Sequence, residues 1–296
     1  MTLTARRLVP GAILLAALLT GSVALMRTGT YGLTLFLIAP FAMGALASMI
    51  LRPPTARRAI AIGVYAALAG CSFLLLLGME GIICIVMALP LAIPLAALGA
   101  WLVHKTTRSA GLLLLIPPSL LFDATAAPPL YQVHTTIEIA ASPEQVWKHV
   151  VTFSELPEPH EWYFRGGLAY PKRARIEGAG PGAVRRCEFS TGPFVEPIEI
   201  WNEPRQLSFR VTENPAPMHE WSPYAHVLPK HLHGYLVSEH GQFLLTPLPG
   251  NRTLLEGTTW YRHGLWPAPY WRLWSDAIIH RIHLRVLRHI KTLSEG

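Results

Sequence analysis

The sequence reads as an α-helical membrane bundle followed by an α+β domain, in which a curved seven-stranded antiparallel sheet wraps a long C-terminal helix. Three observations carry this. Four apolar runs of 18–22 residues without an internal charge occupy residues 9–26, 31–51, 59–78 and 82–103, each long enough to cross a bilayer. Beyond residue 130 the pattern changes to strand-like alternation broken by Gly and Pro turns. The final stretch, PYWRLWSDAIIHRIHLRVLRHIKTL, then sets Trp271, Trp274, Ile278, Ile282, Val286, Ile290 and Leu293 along one helical face. A face that apolar has to lie on a partner of similar length, and the preceding strands supply one.

Charge divides the chain in the same place. Residues 1–130 carry eight Lys/Arg against Glu80 and Asp123, whereas the remainder is close to balanced. The excess of base sits between apolar runs, so it is no solvated nucleic-acid face, and no nucleic-acid partner is expected. Arg6/Arg7, Arg52/Arg57/Arg58 and Lys105/Arg108 fall on one side of the four spans, with Arg27 and Glu80 on the other. Positive-inside bias makes this a multi-pass cell-membrane protein with a cytoplasmic N-terminus. The first run resembles a signal peptide in isolation, but three like it follow. Pro90 and Pro94 fall inside the fourth run, and Glu80 reads as an interfacial turn residue. The run 109–122 is short for a fifth span and holds Pro117-Pro118. Its apolarity favours crossing, which would put the C-terminal domain outside the cytoplasm. Cys71, Cys84 and Cys187 make no disulfide framework.

Residues 123–130 are a linker by composition. A strand at HTTIEIAA follows, then a helix with Ser142 as N-cap, Pro143 in its first position and Glu144 in its first turn. A short second helix fits 156–163. Strands are expected over 174–177, 184–190, 194–201, 207–212, 242–247 and 254–262, with Pro249-Gly250-Asn251 as the turn of the last hairpin. A sheet bent around an amphipathic helix leaves room for an apolar pocket.

The stretch IEIAASPEQVWKHVVTF, the PLPGNRTLLEGTTWY hairpin and the closing helix together resemble the START-like, SRPBCC superfamily, in its polyketide cyclase/dehydrase and lipid-transport branch. The resemblance covers residues 131–293 and implies a helix-grip fold with a hydrophobic ligand pocket. The chain departs from a minimal member in its membrane region and in a long insertion at 214–241. The domains are therefore 1–122, membrane; 123–130, linker; and 131–296, START-like.

Within that frame Trp162, Phe194, Trp201, Trp260, Trp271 and Trp274 are candidate pocket walls. Arg285 and His289, spaced i,i+4 on the apolar face, are candidates for a carboxylate or phosphate head group. The duller alternative is that Arg285 snorkels to the edge and His289 binds a backbone carbonyl. Glu196 and Glu256 are the pocket acids that a cyclase/aromatase-type enzyme would use as a general base. Trp221, Tyr224, His231, His233 and Tyr235 belong to the insertion, read as a lid or a membrane contact. His231, His233, His280 and His283, with His219 or an acid, form a conceivable metal set. Neither HExxH nor a cysteine-rich pattern is present, so no metal and no cofactor are expected. The leading expectation is a membrane-anchored module for a lipid or other hydrophobic small molecule. The alternatives are a cyclase/aromatase-type enzyme, or a membrane sensor or structural protein.

Overall fold

The computed structural model describes residues 5–106, 115–224 and 229–296. The chain forms two compact units. One comprises Met1–Ala127 with Glu220–His231 and Gly264–Pro269; the other comprises Pro128–His219, Leu232–His263 and Tyr270–Gly296.

The first unit is helical. Helices α1 (Ala5–Thr28), α2 (Ala39–Leu51), α3 (Ala56–Leu76) and α4 (Ile82–Lys105) follow the four apolar runs, α2 being led in by a π-helical turn at Thr34–Ile38. Among the described residues, four segments, Val9–Thr28, Thr34–Leu51, Ala56–Leu76 and Ile82–Lys105, are long and apolar enough to cross a membrane. Small residues set the helix spacing. A Cβ on Gly44 would sit 1.9 Å from the Ala96 carbonyl oxygen, so α2 and α4 touch backbone to backbone only because Gly44 has none. Helix α4 continues through Pro90 and Pro94. Glu80 occupies the α3–α4 turn but is buried, unlike an interfacial residue. A short helix, α5 (Ile116–Thr125), carries Asp123, whose carboxylate accepts the Leu33 and Thr34 amides at 2.6 and 2.9 Å. Residues 109–114 of the expected fifth run lie outside the described residues.

The second unit holds the expected sheet. Strands β1 (Leu130–Ile139), β2 (Pro171–Glu177), β3 (Val184–Phe189), β4 (Gly192–Asn202), β5 (Gln206–Arg210), β6 (Leu236–Leu248) and β7 (Arg252–His263) lie in the order β1-β7-β6-β5-β4-β3-β2, each pairing antiparallel to its neighbour. Bulges in β2, β4 and β6 bend the sheet. The β6–β7 turn has Gly250 and Asn251 at φ 80° and 55°, the left-handed conformations a tight hairpin demands.

Helix α6 (Pro143–Val151) begins with a reciprocal capping box between Ser142 and Gln145. It buries Val146, Trp147 and Val150. The second helix, α7 (Trp162–Arg165), is a single turn that starts later than the sequence suggests. Helix α8 (Ala268–Glu295) closes the chain, and its Val286, Leu287 and Ile290 join Ile139, Leu207 and Leu255 of the sheet in the core.

Candidate functional site: a cavity between sheet and closing helix

The alternation of β3, β4 and β7 decides what the second unit encloses. Arg185, Cys187 and Phe189 of β3, Phe194 and Glu196 of β4, and Gly257 and Thr259 of β7 line a cavity of about 130 Å³. Helix α8 closes it with Ile278, Ile279, Ile282, His283, Val286 and Leu287. A cavity of this order in an apolar wall is large enough for an aromatic ring. Asn214–Pro217, the first residues of the insertion, line its rim. Asn214 fixes that rim by accepting the Ser238 amide at 2.8 Å and donating to the Ser238 carbonyl at 3.2 Å. A Cβ on Gly241 would lie 2.3 Å from the Phe209 ring, so glycine there admits the aromatic wall.

One charged pair is buried in this lining. Arg185 and Glu196 are cross-strand partners, 2% and 6% exposed, and the guanidinium donates to the carboxylate. Arg185 also donates to the Val151 carbonyl at 3.3 Å and lies 5.5–5.6 Å from the ring centres of Phe153, Phe209 and Phe243. Burial pushes the Glu196 carboxyl up, and Arg185 opposes that shift. Burial also pushes the Cys187 thiol up to about 12, which leaves it without nucleophilic thiolate. His283 is engaged at both ring nitrogens, Nδ1 to Thr135 Oγ1 at 3.1 Å and Nε2 to Thr259 Oγ1 at 2.8 Å. Burial, aided by His280 and His134, pushes its imidazole down to about 3 and keeps it neutral.

Of the residues singled out in the sequence, Phe194 and Glu196 line the cavity. Glu256 does not. Leu255 and Gly257 take the inward positions of β7, so Glu256 turns to the other face, 3.2 Å from His134 Nδ1. Trp260 shares that phase. The bulge between Ile198 and Ile200 aims Trp201 at Trp147, where the rings meet edge-on at 5.6 Å. Trp162 is 82% exposed on α7. Trp271 is buried and Trp274 half-buried on α8, N-terminal to the residues that line the cavity.

Arg285 and His289 sit on the flank of α8, where both bind backbone in the connection after α6. Arg285 donates to the Pro157 carbonyl and lies 3.6 Å from Glu161; His289 Nε2 is 3.2 Å from the Ser154 carbonyl. His280 Nδ1 is 2.8 Å from Thr135 Oγ1, so it and His283 serve a threonine. His233 and Tyr235 belong to the second unit, whereas Trp221, Tyr224 and His231 belong to the first. There the Trp221 carbonyl accepts the Ile82 amide at 2.8 Å, and the Tyr224 hydroxyl donates to the Leu76 carbonyl. His226 lies outside the described residues. Among the polar residues of the cavity, Arg185 is no candidate in the sequence, and His283 is one there only as a metal ligand. Inward phase on an alternating strand was the available signal for Arg185.

With this geometry in place, the family model for polyketide cyclase/dehydrase and lipid transport matches residues 131–259. The second unit is a START-like domain of that family. Three solved structures resemble the START-like domain. The Zhui aromatase/cyclase from Streptomyces sp. R1128 is 16% identical, with 56% of this chain and 94% of that chain covered at TM-score 0.37. Truncated norcoclaurine synthase from Thalictrum flavum is 12% identical over 57% and 96%, at TM-score 0.36. A protein from Nitrosospira multiformis is 18% identical over 55% and 94%, at TM-score 0.36. Nothing among curated proteins matches the chain.

The buried pair of the START-like domain has a measurable signature. Arg185→Leu strands the Glu196 carboxylate and should lower stability by about 3–5 kcal/mol. Adding Glu196→Leu should recover most of that loss. Denaturant unfolding of the full-length protein reads both, and equal destabilisation by the single and double variants would contradict the pairing.

Proposed function

We propose that the chain is a multi-pass membrane protein whose START-like domain holds a lipid or other hydrophobic small molecule bearing one polar group. The cavity between sheet and α8 carries this reading: phenylalanine, isoleucine and valine walls surround a few polar groups, as in small-molecule sites generally. The polar groups favour holding over reacting. Glu196 is bound to Arg185, the Cys187 thiol is held protonated, and both His283 nitrogens face threonine hydroxyls. A cyclase-type reaction through Glu196 would first have to break its pairing with Arg185.

Two sets of contacts support a fifth crossing. By charge bias, Lys105 at the end of α4 lies on the cytoplasmic side. Asp123, eighteen residues on, caps the start of the second span at Leu33 and Thr34. Glu220 and Trp221 bind the amides that open α4. The starts of the second and fourth spans share the side opposite Lys105, so Asp123 lies on the far side of the bilayer from Lys105, and the START-like domain is extracytoplasmic.

Native mass spectrometry of the full-length protein, extracted in mild detergent, should show a lipid-sized adduct. Ile282→Trp, which fills the cavity, should lower its occupancy by about tenfold or more, roughly 1.4 kcal/mol. An adduct equally abundant in Ile282→Trp would rule the cavity out as its site. For sidedness, a single cysteine at Ala126 in an otherwise cysteine-free chain should react with a membrane-impermeant maleimide on intact cells. Labelling only after permeabilisation would place the domain in the cytoplasm instead.

A further inference from the structure

The α3–α4 turn of the first unit gathers three side chains that no part of the cavity reading uses. Glu80 lies in the turn, Cys84 on the first turn of α4, and His231 in the Glu220–His231 segment of the same unit. His231 Nε2 is 2.8 Å from Cys84 Sγ, and its Nδ1 is 3.6 Å from Glu80 Oε1. One donor atom from each of the three lies within 4.8 Å of the others. We propose that Glu80, Cys84 and His231 bind one divalent transition-metal ion of the zinc class.

The polar atoms of this cluster are buried and sparsely paired. Glu80 and His231 are 6% and 9% exposed. Apart from the Tyr31 hydroxyl near Glu80 and the 3.6 Å approach of His231 Nδ1 to Glu80 Oε1, neither the Glu80 carboxylate nor His231 Nδ1 has a hydrogen-bond partner among the described residues. A buried carboxylate so sparsely paired is unfavourable unless it is protonated or meets a cation. Glu220 makes the site still more electronegative. Its carboxylate accepts the Ile83 and Cys84 amides at 3.0 and 2.9 Å. Burial, with Glu220 nearby, pushes the Glu80 carboxyl up to about 8, against the opposing effect of the Tyr31 hydroxyl.

The donor types select the ion. One sulfur, one nitrogen and one carboxylate oxygen suit zinc or cobalt(II) better than calcium or magnesium, which take oxygen ligands. Zn–S near 2.3 Å and Zn–N near 2.1 Å put the two donors about 3.5 Å apart in a tetrahedron, so thiol and imidazole need to part by less than about 1 Å. Binding releases the Cys84 thiol proton. A water or Glu220 completes the coordination. The ion would fix the inserted segment to the start of α4.

Full-length protein in detergent, stripped with chelator, should take up one cobalt(II) per chain. The bound ion should give a near-ultraviolet thiolate-to-cobalt band that zinc bleaches. Cys84→Ser should abolish the band, Glu80→Gln and His231→Gln should weaken binding about tenfold or more, and Cys71→Ser should leave it unchanged. Glu80→Gln also guards against misfolding. Without metal it should be at least as stable as the parent, while the zinc-dependent rise in unfolding temperature seen in the parent is lost. Absence of a stoichiometric band in the parent, or its persistence in Cys84→Ser, would overturn the proposal.

Discussion

The constraint on which the domain depends is geometric: a long helix lies in the hollow of a bent sheet. Val286, Leu287 and Ile290 of α8 meet Ile139, Leu207 and Leu255 closely and seal one end of the interface. Farther along, around Ile278 to Leu287, helix and sheet leave the cavity between them. Bulges in β2, β4 and β6 provide that curvature. The same contact therefore stabilises the domain and leaves it hollow. Close packing is the norm in protein interiors, so a gap lined by rings and branched aliphatics is a feature that calls for an occupant.

Electrostatics then restricts what that occupant meets. A charge as deeply buried as Arg185 is tolerable only with a partner, and the register of β3 against β4 sets Glu196 directly opposite. Three aromatic rings around the guanidinium lend it further support. The pair presents a fixed dipole to the cavity, one able to orient a ligand's polar end without a free acid or base. His283 behaves in the same way, its ring held neutral between Thr135 and Thr259. On the function proposed above, the START-like domain would hold an apolar molecule in a preferred orientation.

Much of this was legible in the sequence wherever a local rule governs. The capping box at Ser142, the left-handed turn at Gly250-Asn251 and the charge-free runs of the first hundred residues each reflect forces acting over a few residues. The apolar line on α8 was equally plain. The line alone does not reveal which stretch of it borders the cavity, so in the sequence the tryptophans at its N-terminal end read as pocket walls although the lining runs from Ile278 to Leu287. Trp201 reaches the inner face only because a single bulge shifts the phase of β4 after Ile198, and there it packs on Trp147 in the core and not on the cavity. Arg285 and His289 lie on the correct helix, but their binding to the Pro157 and Ser154 carbonyls depends on a loop distant in sequence. The same holds for His231, whose neighbours Glu80 and Cys84 lie about 150 residues earlier. Spacing within the insertion could point only to His233.

The central claim is that α8 and the sheet enclose a space a guest molecule occupies. An electron cryomicroscopy map of the full-length protein, purified directly from its membrane, tests it most directly. The account predicts continuous non-protein density bordered by Phe194, Arg185 and Ile282. Side chains of Ile278 to Leu287 packed directly onto β3, β4 and β7, with no space between, would contradict it.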